Sequence, residues 1–237
     1  MSYIGINSIG KLLLGTTEMA KAYLGTQLVY QSGSGPTPPT PVVPTGYTQL
    51  VYIEQPLGNS AYINTGISSG ANIGFVIDAM SYDEKATSGY GCFFGARYNS
   101  NSSDLQLTTY SSSGSYAGTI RRGGSSQNYN AHLPAKNTRF TASLVGNTYS
   151  IGADTVTTSA SMSRAYDIYL FALNNRNSAA QHGHFRLYSL KITNNGVDVR
   201  DFIPCIDPNN VVGLYDLVSG AFFSSENATT FVAGPTI

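Results

Sequence analysis

The acidic side chains of this 237-residue chain do not form a hydrolytic pattern. Retaining glycosidases on two-sheet scaffolds need two carboxyl groups about 5 Å apart. Such enzymes carry them in the pattern Glu-x-Asp-x-x-Glu, which does not occur here. Asp83 and Glu84 are adjacent, and Asp198 and Asp201 are three apart; on a regular strand both spacings put the pair on opposite faces. His182-Gly183-His184 places two imidazoles on one face of a strand, but no third ligand accompanies them, so they read as loop histidines and His132 as a rim residue. No Gly-x-Ser-x-Gly elbow is present. Arg121-Arg122-Gly123-Gly124 lacks the spacing of a phosphate loop and reads as a solvated strand end, with an anion site as the alternative. Cys92 and Cys205 read as two buried, reduced thiols, with one long-loop disulfide as the alternative. The expectation is a protein that is not an enzyme and carries no cofactor. Calcium has loop or strand-end candidates in Asp104, Asp154 and Asp167 but no clustered Asp motif, so a metal site stays unassigned.

Recognition of sugars is the chemistry that the residue types allow. It uses aromatic faces for stacking and Asn, Asp and Arg groups to fix hydroxyls, on loops at a sheet edge. Tyr98-Asn99-Ser100-Asn101, the stretch from Tyr110 to Tyr116, Gln127-Asn128-Tyr129-Asn130 and Asn174-Asn175-Arg176-Asn177 supply these types. The candidate ligand-binding residues are Tyr98, Asn99, Tyr129, Asn174, Asn175 and Arg176. Tryptophan, the best stacking platform, is missing from the chain.

The elements that would position these loops are strands. Apolar or alternating runs cover Gln49–Ile53, Ile73–Met80, Tyr90–Ala96, Leu105–Tyr110, Arg139–Val145, Asp167–Leu173, Phe185–Thr193, Val197–Ile203 and Val212–Tyr215. Gly146-Asn147 and Asn195-Gly196 are tight hairpin turns, and Asp207-Pro208-Asn209-Asn210 is a further turn. Ile168 to Leu173 is apolar on both faces, as a central strand covered on each side would be. Many short strands without a helical period predict an all-β, two-sheet sandwich of jelly-roll type over residues 46–237.

The composition agrees. Hydrophobic residues make up 41% of the chain and charged residues 11%; thirteen basic side chains balance thirteen acidic ones. That balance gives no basic footprint for nucleic acid, and no apolar run is long enough for membrane insertion as a helix. Residues 31–45, QSGSGPTPPTPVVPT, hold five of the ten prolines and read as a linker, flexible at Ser-Gly and extended through the prolines. A proline-rich docking ligand is the rival reading. Ahead of the linker, Lys11-Leu12-Leu13-Leu14-Gly15-Thr16 recurs as Lys21-Ala22-Tyr23-Leu24-Gly25-Thr26, and the second copy continues through Gln27-Leu28-Val29-Tyr30. Residues 1–30 therefore predict a small meander of two or three strands, too short to stand alone in water. Its apolar residues Leu12, Leu14, Tyr23, Leu24, Leu28 and Tyr30 must meet a copy of themselves or a docking surface; packing on the following domain is the alternative. The N-terminus lacks the basic region of an export signal, so the expectation is a chain made in the cytoplasm.

The two ends of the large domain carry a resemblance. Gly46-Tyr47-Thr48-Gln49-Leu50-Val51-Tyr52-Ile53-Glu54 with Ala61-Tyr62-Ile63-Asn64-Thr65-Gly66-Ile67 opens it. Phe185-Arg186-Leu187-Tyr188-Ser189-Leu190-Lys191-Ile192, Val199-Arg200-Asp201-Phe202-Ile203-Pro204-Cys205 and Val212-Gly213-Leu214-Tyr215-Asp216 close it. Gly91-Cys92-Phe93-Phe94-Gly95-Ala96-Arg97 lies between. These segments resemble laminin-G-like (concanavalin A-like) domains, which occur in phage virion proteins and bacterial surface proteins. The N-terminal repeat resembles short β repeats at the base of phage fibre and appendage proteins. The resemblance implies a head or tail fibre or decoration subunit exposed on the particle. It would be a homo-oligomer, a trimer in such proteins, that meets capsid or tail proteins through residues 1–30 and host-surface or mucus glycans through its lectin-like domain. A purely structural capsid or tail module without a sugar ligand, and a bacterial surface glycan-binding adhesin, are the alternatives.

Overall fold

The computed structural model describes residues 13–14, 17–18, 21–24, 27–31, 42–81, 89–98, 104–112, 115–123, 137–152, 154–157, 162 and 165–237. Leu12, Asp83, Glu84, Asn99, Tyr129 and His132 lie outside them. Internal contacts divide the chain into two units, 1–41 and 42–236. In the first, β1 (Leu13–Leu14) pairs with β2 (Thr17–Glu18), and β3 (Lys21–Leu24) with β4 (Gln27–Gln31). The ten-residue repeat thus yields one hairpin per copy instead of a continuous meander among the described residues. Leu14 sits on β1, Tyr23 and Leu24 on β3, Leu28 and Tyr30 on β4, and the backbone register sets Tyr23 opposite Leu28.

The second unit is all-β, with no helix among the described residues. In chain order its strands are β5 (Thr48–Gln49), β6 (Ile53–Gln55), β7 (Ile63–Ser68), β8 (Ile73–Ser81), β9 (Gly89–Arg97), β10 (Asp104–Ser112), β11 (Ser115–Arg122), β12 (Arg139–Val145) and β13 (Thr148–Ile151). There follow β14 (Asp154–Thr157), β15 (Asp167–Leu170), β16 (Leu173–Asn175), β17 (Ser178–Ala180), β18 (Phe185–Asn194), β19 (Val197–Ile206), β20 (Val212–Asp216), β21 (Phe222–Phe223) and β22 (Val232–Ala233). The larger sheet runs β14-β13-β12-β8-β18-β19-β20-β21, with β6 beside β18 and β22, and β5 beside β19. The smaller runs β11-β10-β9-β15-β7, with the β16–β17 hairpin joined to β9.

Alternation explains how the sheets face one another. On β12 the inward residues are Phe140, Ala142 and Leu144. On β18 they are Phe185 and Leu187, then Leu190 and Ile192. The step of three between Leu187 and Leu190 would turn one pair outward on a regular strand. A bulge between Leu187 and Ser189 absorbs the extra residue and keeps both pairs in the core. Phe75 of the larger sheet meets Phe94 of the smaller with ring centroids 4.3 Å apart, and Phe93 meets Phe185 at 4.5 Å. Phe93 and Phe94 both face inward because β9 and β10 shift register there. Each buried phenylalanine contributes about 1.5–3 kcal/mol relative to exposure.

Two expected strands are corrected. The run Gln49–Ile53 is not one strand: β5 pairs with β19 and β6 with β18, so the chain changes partner at Leu50 to Tyr52. The run Asp167–Leu173 breaks at Phe171, whose φ is +64°. β15 runs antiparallel to β9, the chain then reverses, and β16 runs parallel to it. Ile168 to Leu173 is buried throughout because it is a folded-back corner inside the sandwich.

The solvent face of the larger sheet carries a ladder of charges and rings. Arg139 forms a two-pronged bond to Asp78 at 2.7 and 2.6 Å and lies 3.9 Å over the Tyr188 ring. Tyr188 packs on Tyr52 at 5.5 Å, and Arg186 lies 4.3 Å over Tyr52 while bonding Glu54 at 2.9 Å. These contacts hold neighbouring strands in register across the sheet.

Candidate functional site

Three of the sequence-predicted residues converge at one end of the smaller sheet. Tyr98 directly follows β9, and Arg176 lies in the β16–β17 turn, which β16 brings alongside β9 through the pairs Asn174–Ala96 and Asn175–Arg97. The Arg176 amide donates to the Arg97 carbonyl at 3.2 Å, its Nε donates to the Tyr98 carbonyl, and the guanidinium lies 5.3 Å over the Tyr98 ring. Arg176 and Asn177 both have positive φ, +56° and +66°, which is the two-residue hairpin turn whose twist matches the strands. Asn175 is half-buried on β16 beside them.

Asn174 belongs to the scaffold. It is fully buried. Its Nδ2 donates to the Asp167 carbonyl at 2.7 Å and its Oδ1 accepts the Asn177 amide at 2.7 Å. This corrects the expectation that it faces a ligand: it shapes the turn that presents Arg176.

The sequence reasoning missed Tyr166, which stacks on Tyr98 with centroids 6.1 Å and planes 11° apart. Asp167, next in the chain, accepts from Ser68 Oγ at 2.9 Å and from Asn64 Nδ2 at 3.5 Å. Further along the smaller sheet, Tyr62 packs on Tyr169 at 4.8 Å and on His182 at 6.3 Å. No local signal marks Tyr166 or Tyr169, since they come from a segment distant in sequence from residue 98. The assembled surface offers tyrosine faces, one cation and a bonded carboxylate with its amide and hydroxyl neighbours. That set can stack on an apolar ring face and bond to hydroxyls around its edge.

His182 sits where the chain crosses β9. The Cys92 amide donates to the Gln181 carbonyl at 2.8 Å, and Gly183 donates to the Phe171 carbonyl at 3.0 Å. A Cβ at Gly183 would lie 2.5 Å from the Cys92 carbonyl oxygen, so this crossing admits only glycine. Burial holds the His182 imidazole below its ordinary pKa of 6.5, against a hydrogen bond to the Ala61 backbone, and its Nδ1 is buried without a partner. The unfolded chain therefore takes up a proton near pH 6.5 that the folded chain resists. The contribution of this group to stability is full above that pH and falls as the pH drops from 6.5 toward the lower folded value. The expected result is a Tm loss between pH 7 and pH 5 that is smaller in His182→Asn than in the wild type by thermal denaturation. An equal loss in both proteins counts against this assignment.

Asp198 and Asp201 share one side after all, because a bulge between Ile192 and Thr193 shifts the register of β19. Both reach Lys191 Nζ, at 2.8 and 3.1 Å, and hydrogen bonds to Asp198 and then Asp201 raise the lysine pKa. Cys92 and Cys205 are free and buried; burial pushes both thiols up, Cys205 to about 12. Asp104, Asp154 and Asp167 lie on three different strands, and among the described residues no three His, Cys, Asp or Glu side chains gather as a metal site. Arg122 is not the solvated strand end the sequence suggested: it is 3% exposed and bonds across to the larger sheet. Compared with known proteins, the chain matches no family, no curated sequence and no solved structure.

Proposed function

We propose that this chain is a glycan-binding subunit of a phage virion, a fibre or decoration protein whose β-sandwich displays a lectin-like surface to host or mucus sugars. The observation that carries the glycan reading is the convergence of Tyr98, Tyr166 and Arg176, from three separate segments, into one stacked aromatic group, with Asn175 in the same hairpin as Arg176. The virion setting rests on the resemblance of both ends of the sandwich to laminin-G-like domains of phage proteins. It rests also on the short N-terminal hairpins, which are too small to be stable alone and so call for a partner such as sister subunits in a trimer or a capsid or tail protein.

The test is a glycan array of host capsular, lipopolysaccharide and mucin sugars, probed with the full chain and with Tyr98→Ala and Tyr188→Ala. Loss of a stacking ring removes about 0.5–1.5 kcal/mol, so Tyr98→Ala should weaken binding roughly two- to tenfold. Tyr188→Ala, on the outer face of the other sheet, should leave binding unchanged. No bound glycan, or binding lost in Tyr188→Ala and kept in Tyr98→Ala, overturns the reading. Immunogold labelling of particles with an antibody to this chain tests the virion setting.

A further inference from the structure

A concave site lies where the hairpin tips of the larger sheet meet the edge of the smaller. It is a cleft of about 400 Å³, within the size range of small-molecule pockets. The β12–β13 tip supplies Val145, Gly146 and Asn147, the end of β18 and the β18–β19 tip supply Thr193, Asn195 and Gly196, and Ala71 and Asn72 come from the loop before β8. Gly74 completes it; a Cβ there would meet the Leu144 carbonyl oxygen and Thr193 Oγ1 at 2.7 Å, so the neighbouring strands pack too closely at this point for any side chain.

Arg122 enters this wall from β11 of the opposite sheet. Its Nη1 donates to the Gly146 carbonyl and, at 3.1 Å, to Asn147 Oδ1. Its Nε is buried and has no hydrogen-bond partner. Among the described residues no carboxylate lines the cleft and none forms an ion pair with Arg122. A guanidinium taken out of water without a counter-ion is costly, and a buried donor left unpaired adds to that cost. An anion in the cleft would offset both terms. The edge of the guanidinium that carries Nε is the one that a planar carboxylate grips with two parallel bonds. The rim adds the carboxamides of Asn72, Asn147 and Asn195 and the Thr193 hydroxyl, groups suited to sugar hydroxyls, while Ala71 and Val145 offer an apolar flank.

From this we infer that the Arg122 cleft is a second ligand site, specific for a sugar that bears a carboxylate, a hexuronate or a sugar acid of similar size. The ligand class rests on the glycan reading above; the site itself is separate from the Tyr98 surface and stands on Arg122 and the cleft.

The test is an NMR titration of the full chain with D-glucuronate, D-glucose and acetate. Glucuronate should shift the amides of Gly146, Asn147, Asn195 and Gly196 and bind at least tenfold more tightly than glucose or acetate, each of which supplies only part of the ligand. Arg122→Lys keeps the charge but loses the fork, and should weaken glucuronate at least tenfold. Asn195→Asp, on the exposed rim, keeps the fold and sets a like charge beside the ligand; it should weaken glucuronate to the same degree. Absence of those shifts, full-strength binding in both variants, or acetate binding as tightly as glucuronate overturns the proposal. Glucuronate binding that persists in Tyr98→Ala supports this site even if the array finds no neutral glycan, so the two readings can fail separately.

Discussion

Replacing Asp216 with alanine is expected to lower the unfolding free energy by about 3–5 kcal/mol, the cost of breaking a buried charged network. Asp216 ends β20 and is fully buried. Its Oδ1 accepts the amides of Asp201 at 2.7 Å and Val218 at 3.1 Å; its Oδ2 accepts the Ser219 hydroxyl at 2.6 Å and the Ser219 amide at 3.2 Å. Arg200 Nη1 stands 3.5 Å from the same carboxylate, and its Nε donates to the Thr65 carbonyl of β7, in the opposite sheet, at 2.9 Å. The carboxylate therefore anchors the turn between β20 and β21 and steadies a cross-sheet tie to β7, the strand that carries Asn64 and Ser68. Alanine leaves three amides, a hydroxyl and a guanidinium without this acceptor. Urea unfolding of Asp216→Ala beside Lys191→Met makes the comparison sharp. Lys191 is an exposed ion-pair member whose loss costs about 0–1 kcal/mol. If the two variants lose equal stability, Asp216 does not hold the network together.

That network was legible in part. The closing segment Val212-Gly213-Leu214-Tyr215-Asp216 carried the resemblance, but nothing in the spacing shows that an aspartate after alternating apolar residues will be buried. Its partners, Asp201, Val218 and Ser219, meet it only through the β19–β20 pairing and the turn that follows. The same holds across the molecule. Alternation marked β8, β12 and β18, because a strand with one face in the core must repeat every two residues. The Gly146-Asn147 and Asn195-Gly196 turns were read from residue type and form the expected hairpins. Bulges were not read, and they decide which side chains meet: the shift near Thr193 turns Asp198 and Asp201 toward one lysine. For the candidate surface, residue type found Tyr98, Asn175 and Arg176, whereas Tyr166 and Asp167 join them only through the β9–β15–β7 order. Arg122 was misread for a related reason. A basic residue next to Gly-Gly suggests a solvated end, and its burial arises from a turn of the opposite sheet that lies 24 residues away.

Phe171→Ala is the second variant with a large expected effect, a loss of about 3–5 kcal/mol. Phe171 is fully buried, stacked on Phe185 with centroids 4.2 Å and planes 11° apart, and packed on Phe231 at 4.6 Å. Its amide donates to the Phe93 carbonyl at 2.8 Å, and its own carbonyl accepts the Gly183 amide. These contacts hold a side chain at φ +64°, a left-handed conformation that costs a non-glycine residue roughly 1–2 kcal/mol. Alanine loses the ring and keeps the strain. Glycine loses the ring and releases the strain, at the expense of about 0.5–1 kcal/mol in chain entropy. Phe171→Gly should therefore be no less stable than Phe171→Ala, the reverse of the usual order. The corner also sets the reversal from β15 to β16, which carries Asp167 and the Arg176 turn to the same end of the sheet. Loosening it should weaken any ligand held there in parallel with the stability loss, even though residue 171 touches nothing at the surface. Chemical denaturation of both variants reads the first effect and ligand titration the second. Should the alanine variant lose less than about 1.5 kcal/mol, or the glycine variant prove clearly the weaker, the corner is not held by the packing of this ring against a strained backbone.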